Sequence, residues 1–293
     1  MSLSGGTMRH RALLAFAFIV LLTGAAGAQD RAFQFGLIGD LPYSRVEEQE
    51  FKNVIDQLNA RPLEFVVHVG DMQNDPRPHN QNPARSGVPC TDEMNDWLVA
   101  QFNTIRHPFV MTPGDNDWAD CHHLRSRKVD PLERLDALRR KFYPEGRSMG
   151  GRSMPVVSQS AEPQYAKFRE NLRWSISNVA FATLHITGSN DNFGRNPEMD
   201  AEQRERKAAN LAWMKQAFAR AKADGSRGLV IMTQANPAFE PEEPAVPARP
   251  RHDAAQSAGA DRVRRIRRHA RRGAGELRQA GGLPTRRHAY IPR

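Results

Sequence analysis

Apolar and polar positions follow two different rhythms along this 293-residue chain, and the switches between them predict its elements. The runs "FQFGLIGD" (33–40), "EFVVHVGD" (64–71) and "HPFVMTPGD" (107–115) are short and almost continuously apolar, as strands buried on both faces are. Between the first two, residues 47–59 place Phe51, Val54, Ile55 and Leu58 at helical spacing, and 94–105 reads as a second helix. Residues 130–142 predict a third, with Asp130 as N-cap and Pro131 at the first helical position. "LRWSISNVAFATLHIT" (172–187) predicts two strands joined at Ser177-Asn178, a long helix follows over roughly 201–223, and "GLVIMTQANP" (228–237) opens as a further strand. The β-α-β-α-β order predicts parallel central strands covered by helices, with the hairpin in a second sheet.

Both flanks break this grammar. Arg9 and Arg11, an apolar stretch from Ala12 to Ala26 and the small-residue site Ala26-Gly27-Ala28 predict a secretory signal over 1–28, cleaved near Ala28, and hence a periplasmic or secreted protein. That stretch is shorter than the ~20 apolar residues a spanning helix needs, so stable membrane insertion is not expected. At the other end, residues 241–293 hold 13 Arg, no Lys and 5 acidic residues, with no Phe, Trp or Met. So little apolar surface cannot offset ordering entropy, and a disordered tail is expected there, leaving 29–240 as the folded domain.

Charge changes the picture only in that tail. The net charge of +9 suggests a nucleic-acid partner, but residues 1–240 carry 29 basic against 28 acidic groups. With Tyr290 as its one aromatic residue the tail lacks base-stacking partners, so no specific nucleic acid is expected. Cys90 and Cys121 are the two cysteines, and in an exported chain they read as one disulfide between the second and third strands; two buried free thiols are the alternative. No P-loop and no G-x-S-x-G elbow is present.

The candidate chemistry lies where the first three strands end. Each closes on Gly-Asp, at Asp40, Asp71 and Asp115, and parallel strands bring their carboxyl ends to one rim, where open α/β sheets bind ligands. Three converging carboxylates repel one another unless a cation neutralises them, and oxygen donors suit Mg²⁺, Mn²⁺, Zn²⁺ or iron. The alternative is that each Gly-Asp is a turn or helix cap.

Over residues 33–237 the chain resembles the calcineurin-like metallophosphoesterases, whose pattern runs D-x-H, GD, GNH[DE], a later lone His, then GHxH. Asp40 matches the first Asp, although Pro42 stands at the D-x-H histidine and Tyr43 follows as a possible ligand. Asp71 matches the Asp that bridges two metals. In "PGDNDW", Asp115 stands for the ligand Asn, Asn116 for the catalytic His and Asp117 for the final acid. Gln234 lies where the lone His is expected, and His185 is the replacement to weigh; His68, His122 and His123 are weaker candidates.

This resemblance implies a four-layer α/β/β/α sandwich, incomplete at its C-terminal side, and two divalent or mixed-valence metal ions (Mn, Fe, Zn or Mg). It also implies hydrolysis of a phosphomonoester or phosphodiester by a metal-bound hydroxide, with Asn116 steadying phosphoryl oxygens. The family's last motif, GHxH or GDTH, is missing. Codons for residues 286–293 can be chosen so that a one-nucleotide shift spells Gly-Asp-Thr-His-Thr-Tyr-Arg, and those for 277–282 so that it spells Phe-Gly-Lys-Pro-Val-Val. A frameshift between Phe239 and Arg262 is therefore an expectation that the coding DNA decides. The competing expectations are a non-catalytic protein whose basic tail binds anionic lipid or nucleic acid, and a degenerate inactive product.

Overall fold

The computed structural model describes residues 31–74, 89–123 and 129–236. The expected signal at 1–28 and the tail at 241–293 lie outside the described residues, as do Pro237 and the last positions of the domain assigned to 29–240. The described residues form a mixed α/β fold with two sheets.

Strands β1 (Gln34–Ile38), β2 (Leu63–His68) and β3 (Phe109–Met111) form a three-stranded parallel sheet in that order. In the central strand Phe65, Val66 and Val67 are fully buried. Strands β4 (Val157–Ser158), β5 (Leu172–Ile176), β6 (Val179–Thr183) and β7 (Gly228–Met232) form the second sheet, antiparallel except for the parallel β6–β7 pair. The hairpin turns where expected: Ser177 and Asn178 have φ of 46° and 60°, the left-handed pair that a two-residue hairpin loop requires. The two-residue β4 was too short to leave a pattern in the sequence.

Aromatic rings join the sheets into one core. Phe65 of β2 lies 4.9 Å from Phe181 of β6 and 5.3 Å from Trp174 of β5, and Phe35 of β1 stacks on Phe65 at 5.0 Å. Truncating Phe65 would cost about 3–5 kcal/mol.

The helices begin at caps, which explains where they depart from the periodicity. Ser44 Oγ accepts from Glu47 N, so α1 (Arg45–Asn59) starts two residues before the apolar pattern. Thr91 Oγ1 accepts from Met94 N, and α2 (Asp92–Asn103) is shifted by two residues in the same way. For α3 (Pro131–Phe142), Asp130 Oδ1 accepts from Leu132 N and Pro131 is the first helical residue, as expected. The long helix Pro197–Ala223 starts four residues earlier than its pattern because Asn196 caps Met199 N at 2.9 Å and Pro197 initiates it. It packs against β6 and β7. No helix among the described residues is long and apolar enough to cross a membrane.

Candidate functional site

The three Gly-Asp dipeptides follow the three parallel strands, and close backbone approach is what the glycines permit. A Cβ on Gly70 would lie 2.5 Å from Gly114 N, and one on Gly114 would lie 2.0 Å from Asp71 Oδ1. The second and third strand ends therefore touch only because both residues lack side chains. The left-handed backbone falls partly on the acids themselves: Asp40 and Asp71 both have φ of 57°, in a region that Asp tolerates better than most residues.

A chain of hydrogen bonds links the carboxylates. Tyr43 Oη donates to Asp40 Oδ1 at 3.1 Å, next to a cis Leu41–Pro42 peptide. Asn116 Nδ2 approaches Tyr43 Oη at 3.5 Å and the Gln73 carbonyl at 3.3 Å, while its backbone N–H donates to Asp71 Oδ1 at 3.2 Å. Gln234 Nε2 donates to Asp71 Oδ2 at 2.9 Å and to Asp115 Oδ1 at 3.2 Å. Asp40, Tyr43, Asp71, Asp115, Asn116 and Gln234 thus share one rim. Asp71 and Asp115 are buried and Asp40 is exposed at the edge. The carboxylates are linked rather than clustered: Asp40, Asp71 and Asp115 do not each bring an oxygen within 4.8 Å of the other two.

Burial, with Asp117 and Asp115 alongside, raises Asp71 to about 9. Burial also raises Asp115. Tyr43 is pushed well above the usual phenol range by burial and then by Asp71 and Asp40, so its hydroxyl stays protonated and donates. Asp117 plays a different part. It is buried, its oxygens accept from Met72 N (2.7 Å), Gly114 N (2.8 Å) and Asp71 N (3.0 Å), and burial raises it to about 7 against those donors. It ties the second and third strand ends together and faces no opening.

The two histidines weighed at the strand ends are not at the rim as ligands. His185 is fully buried; its Nε2 accepts from Trp118 Nε1 at 3.0 Å and its Nδ1 donates to Glu170 Oε1 at 2.8 Å, so both ring nitrogens are engaged. His68 Nδ1 accepts from Gly70 N at 3.1 Å and its Nε2 donates to the Leu41 carbonyl at 3.2 Å, and burial lowers the ring to about 4. Gln234 is at the rim, but it turns its amide nitrogen to the carboxylates and its Oε1 accepts from Gly188 N at 2.7 Å, so its carbonyl is not presented as a ligand.

Two features went unread in the sequence. "GSNDN" (188–192) is a left-handed turn: Ser189, Asn190, Asp191 and Asn192 have φ of 46°, 59°, 53° and 63°. Gly188 presses against Asp115, where a Cβ would lie 2.6 Å from Oδ2, and Asp191 is held by Arg206 of the long helix. The second is a buried ion network behind His185, in which Arg139 Nε and Nη2 donate to Glu170 at 3.0 and 2.6 Å. Only the clustering of Asn, Asp and Gly at 188–192 signalled the first, and nothing local signalled the second. The Cys90–Cys121 disulfide is formed, with Cα atoms 5.9 Å apart.

Comparison with known protein families finds no match, and comparison with curated proteins finds none either.

Proposed function

We propose that this chain is a metal-dependent phosphoesterase of the calcineurin-like type, acting on phosphomonoesters or phosphodiesters, with its two sheets as the inner layers of an α/β/β/α sandwich. The observation that carries the reading is the hydrogen-bonded run Asp40–Tyr43–Asn116–Asp71–Gln234–Asp115 at the carboxyl ends of three parallel strands. The aromatic contacts between the sheets and the long helix on β6 and β7 support the sandwich. Export is supported by the disulfide.

The resemblance implies two cations, and the donor chemistry narrows their identity. The rim offers carboxylate, phenol and amide groups, whereas His68 and His185 have both ring nitrogens engaged. Oxygen donors favour Mg²⁺ or Mn²⁺ over Zn²⁺. Asp40, Asp71 and Asp115 would hold the cations, which when bound supply charge stabilisation and activate water. The protein's own groups then position the substrate. Tyr43 Oη bonds the exposed Asp40 and Asn116 Nδ2 approaches Tyr43 Oη, and this second contact, long at 3.5 Å, is the one to yield to a phosphoryl oxygen. Asp117 fixes the backbone that carries Asp71 and Asp115.

The test is hydrolysis of p-nitrophenyl phosphate and bis-p-nitrophenyl phosphate by metal-stripped protein resupplied with Mg²⁺, Mn²⁺ or Zn²⁺. We expect turnover with the first two, and a loss of about 100-fold or more in kcat for Asp71→Asn at unchanged far-UV circular dichroism. No turnover with any cation, or equal turnover by Asp71→Asn, overturns the reading.

A further inference from the structure

A second set of ligand-type side chains lies outside the acidic rim, on the five-residue 3₁₀ helix Ala119–His123. One ligand atom from each of Asp120, His122 and His123 lies within 4.8 Å of the other two, and among the described residues no other such trio occurs. Asp120 is fully buried. Its Oδ1 accepts from Arg195 at 2.8 Å, while its Oδ2 is buried with no hydrogen-bond partner. A buried carboxylate oxygen left unpaired is costly, and such an atom calls for a cation or a donor.

The imidazoles lie within reach of the Asp120 carboxylate. His122 Nδ1 lies 3.0 Å from the Ala119 carbonyl, which can only accept, so Nδ1 carries the proton and Nε2 keeps its lone pair. A metal-bound histidine is oriented by this kind of backbone contact. The ring of His123 lies 3.8 Å from that of His122. His122 is exposed, His123 half-buried and Asp120 buried, so the group opens to solvent on one side. The helix is anchored: Cys121 is tied to Cys90, and Asp120 N donates to the Asp115 carbonyl at 2.9 Å.

We propose that Asp120, His122 and His123 bind one borderline divalent cation, Zn²⁺ or a neighbour such as Ni²⁺ or Cu²⁺, through one carboxylate oxygen and two imidazole nitrogens. Two nitrogen donors with one oxygen select such ions against Mg²⁺ and leave a fourth tetrahedral position for water or an outside ligand. Arg195, already on the same carboxylate, opposes the cation and sets the affinity below that of a site without it. The site shares no ligand with Asp40, Asp71 or Asp115 and stands whether or not the chain hydrolyses phosphoesters.

Untagged, metal-stripped full-length protein titrated with ZnCl₂ in a calorimeter, with MgCl₂ as control, tests it. We expect one Zn²⁺ per chain at this site, bound at least tenfold more weakly by His122→Ala/His123→Ala and unchanged in Asp71→Asn. His122→Gln, a change at an exposed side chain that leaves folding intact, is expected to weaken binding in the same direction. Wild type that takes up no Zn²⁺, or a His122→Gln dissociation constant equal to wild type, overturns the proposal. So does zinc that disappears in Asp71→Asn but persists in the histidine variants, because it then belongs to the acidic rim.

Discussion

Gln234 donates its side-chain amide to Asp71, 2.9 Å from Nε2 to Oδ2, across 163 residues of sequence. The same nitrogen reaches Asp115, so a neutral group stands between two buried carboxylates where their repulsion is greatest. Replacing it with a third carboxylate reverses that effect. Gln234→Glu is expected to destabilise cation-free protein by about 2 kcal/mol or more, a fall in Tm of roughly 4–8 °C for a domain of this size. Excess Mn²⁺ is expected to restore more of the Tm in this variant than in wild type, because the added oxygen is a ligand. Thermal melts in EDTA and in Mn²⁺ measure both; a variant that melts like wild type in EDTA removes the carboxylate pair from the account.

Glu170, hydrogen-bonded to His185, sets a pH dependence of stability. Burial alone would raise its pKa, but Arg139 and His185 more than offset it and hold the carboxyl below the usual glutamate value. An acid with a lowered folded pKa binds fewer protons folded than unfolded. Its contribution is therefore present above the unfolded value of about 4.5 and is lost as pH falls below it. Urea midpoints of wild type are expected to drop between roughly pH 5 and pH 3. Glu170→Gln, which leaves buried Arg139 without its anion, is expected to cost about 3–5 kcal/mol at neutral pH and to show a shallower acid dependence. Parallel urea curves for the two proteins across that range would remove Glu170 as the cause.

The Cys90–Cys121 bond spans 31 residues of sequence. In the chain-entropy account a loop of that length stabilises by roughly 3–4 kcal/mol. Cys90→Ser/Cys121→Ser is expected to lower the guanidinium midpoint accordingly. It should also loosen the 3₁₀ helix Ala119–His123, read as faster amide exchange there than in α3. Uniform exchange across both segments would mean that the disulfide acts on the unfolded chain alone.

How legible these features were in the sequence depended on whether the signal was local. The strand ends at Asp40, Asp71 and Asp115 could be read because parallel order and a repeated Gly-Asp are properties of short segments plus topology. Helix starts were missed by two to four residues because Ser44, Thr91 and Asn196 act through single capping hydrogen bonds that apolar periodicity does not register. His185 was weighed as a ligand, yet it is held by Glu170 and Trp118, 15 and 67 residues away, and no window of sequence contains that pairing. The rim's use of Gln234 as a donor likewise depends on which way one amide turns, and Gly188 fixes that through its backbone N–H.

Gly188 offers the sharpest separation of site from stability. A Cβ there would lie 2.6 Å from Asp115 Oδ2 and 2.9 Å from its Cγ, too close for any real contact. The backbone of Gly188 is held by Gln234, so the carboxylate is the part that yields. Gly188→Ala is therefore expected to rotate Asp115 away from Gln234, lowering hydrolysis about tenfold or more and shrinking the cation-induced rise in Tm. The cost in stability should be about 1–3 kcal/mol, because Asp115 is buried and loses the Gln234 donor. Gly225→Ala is the control: its φ of 64° penalises any side chain, but nothing lies within 4 Å of the added Cβ. That variant is expected to lose about 1 kcal/mol with hydrolysis unchanged. If Gly188→Ala instead behaves like Gly225→Ala and keeps its activity, Asp115 is a turn residue and the acidic rim has no chemical role.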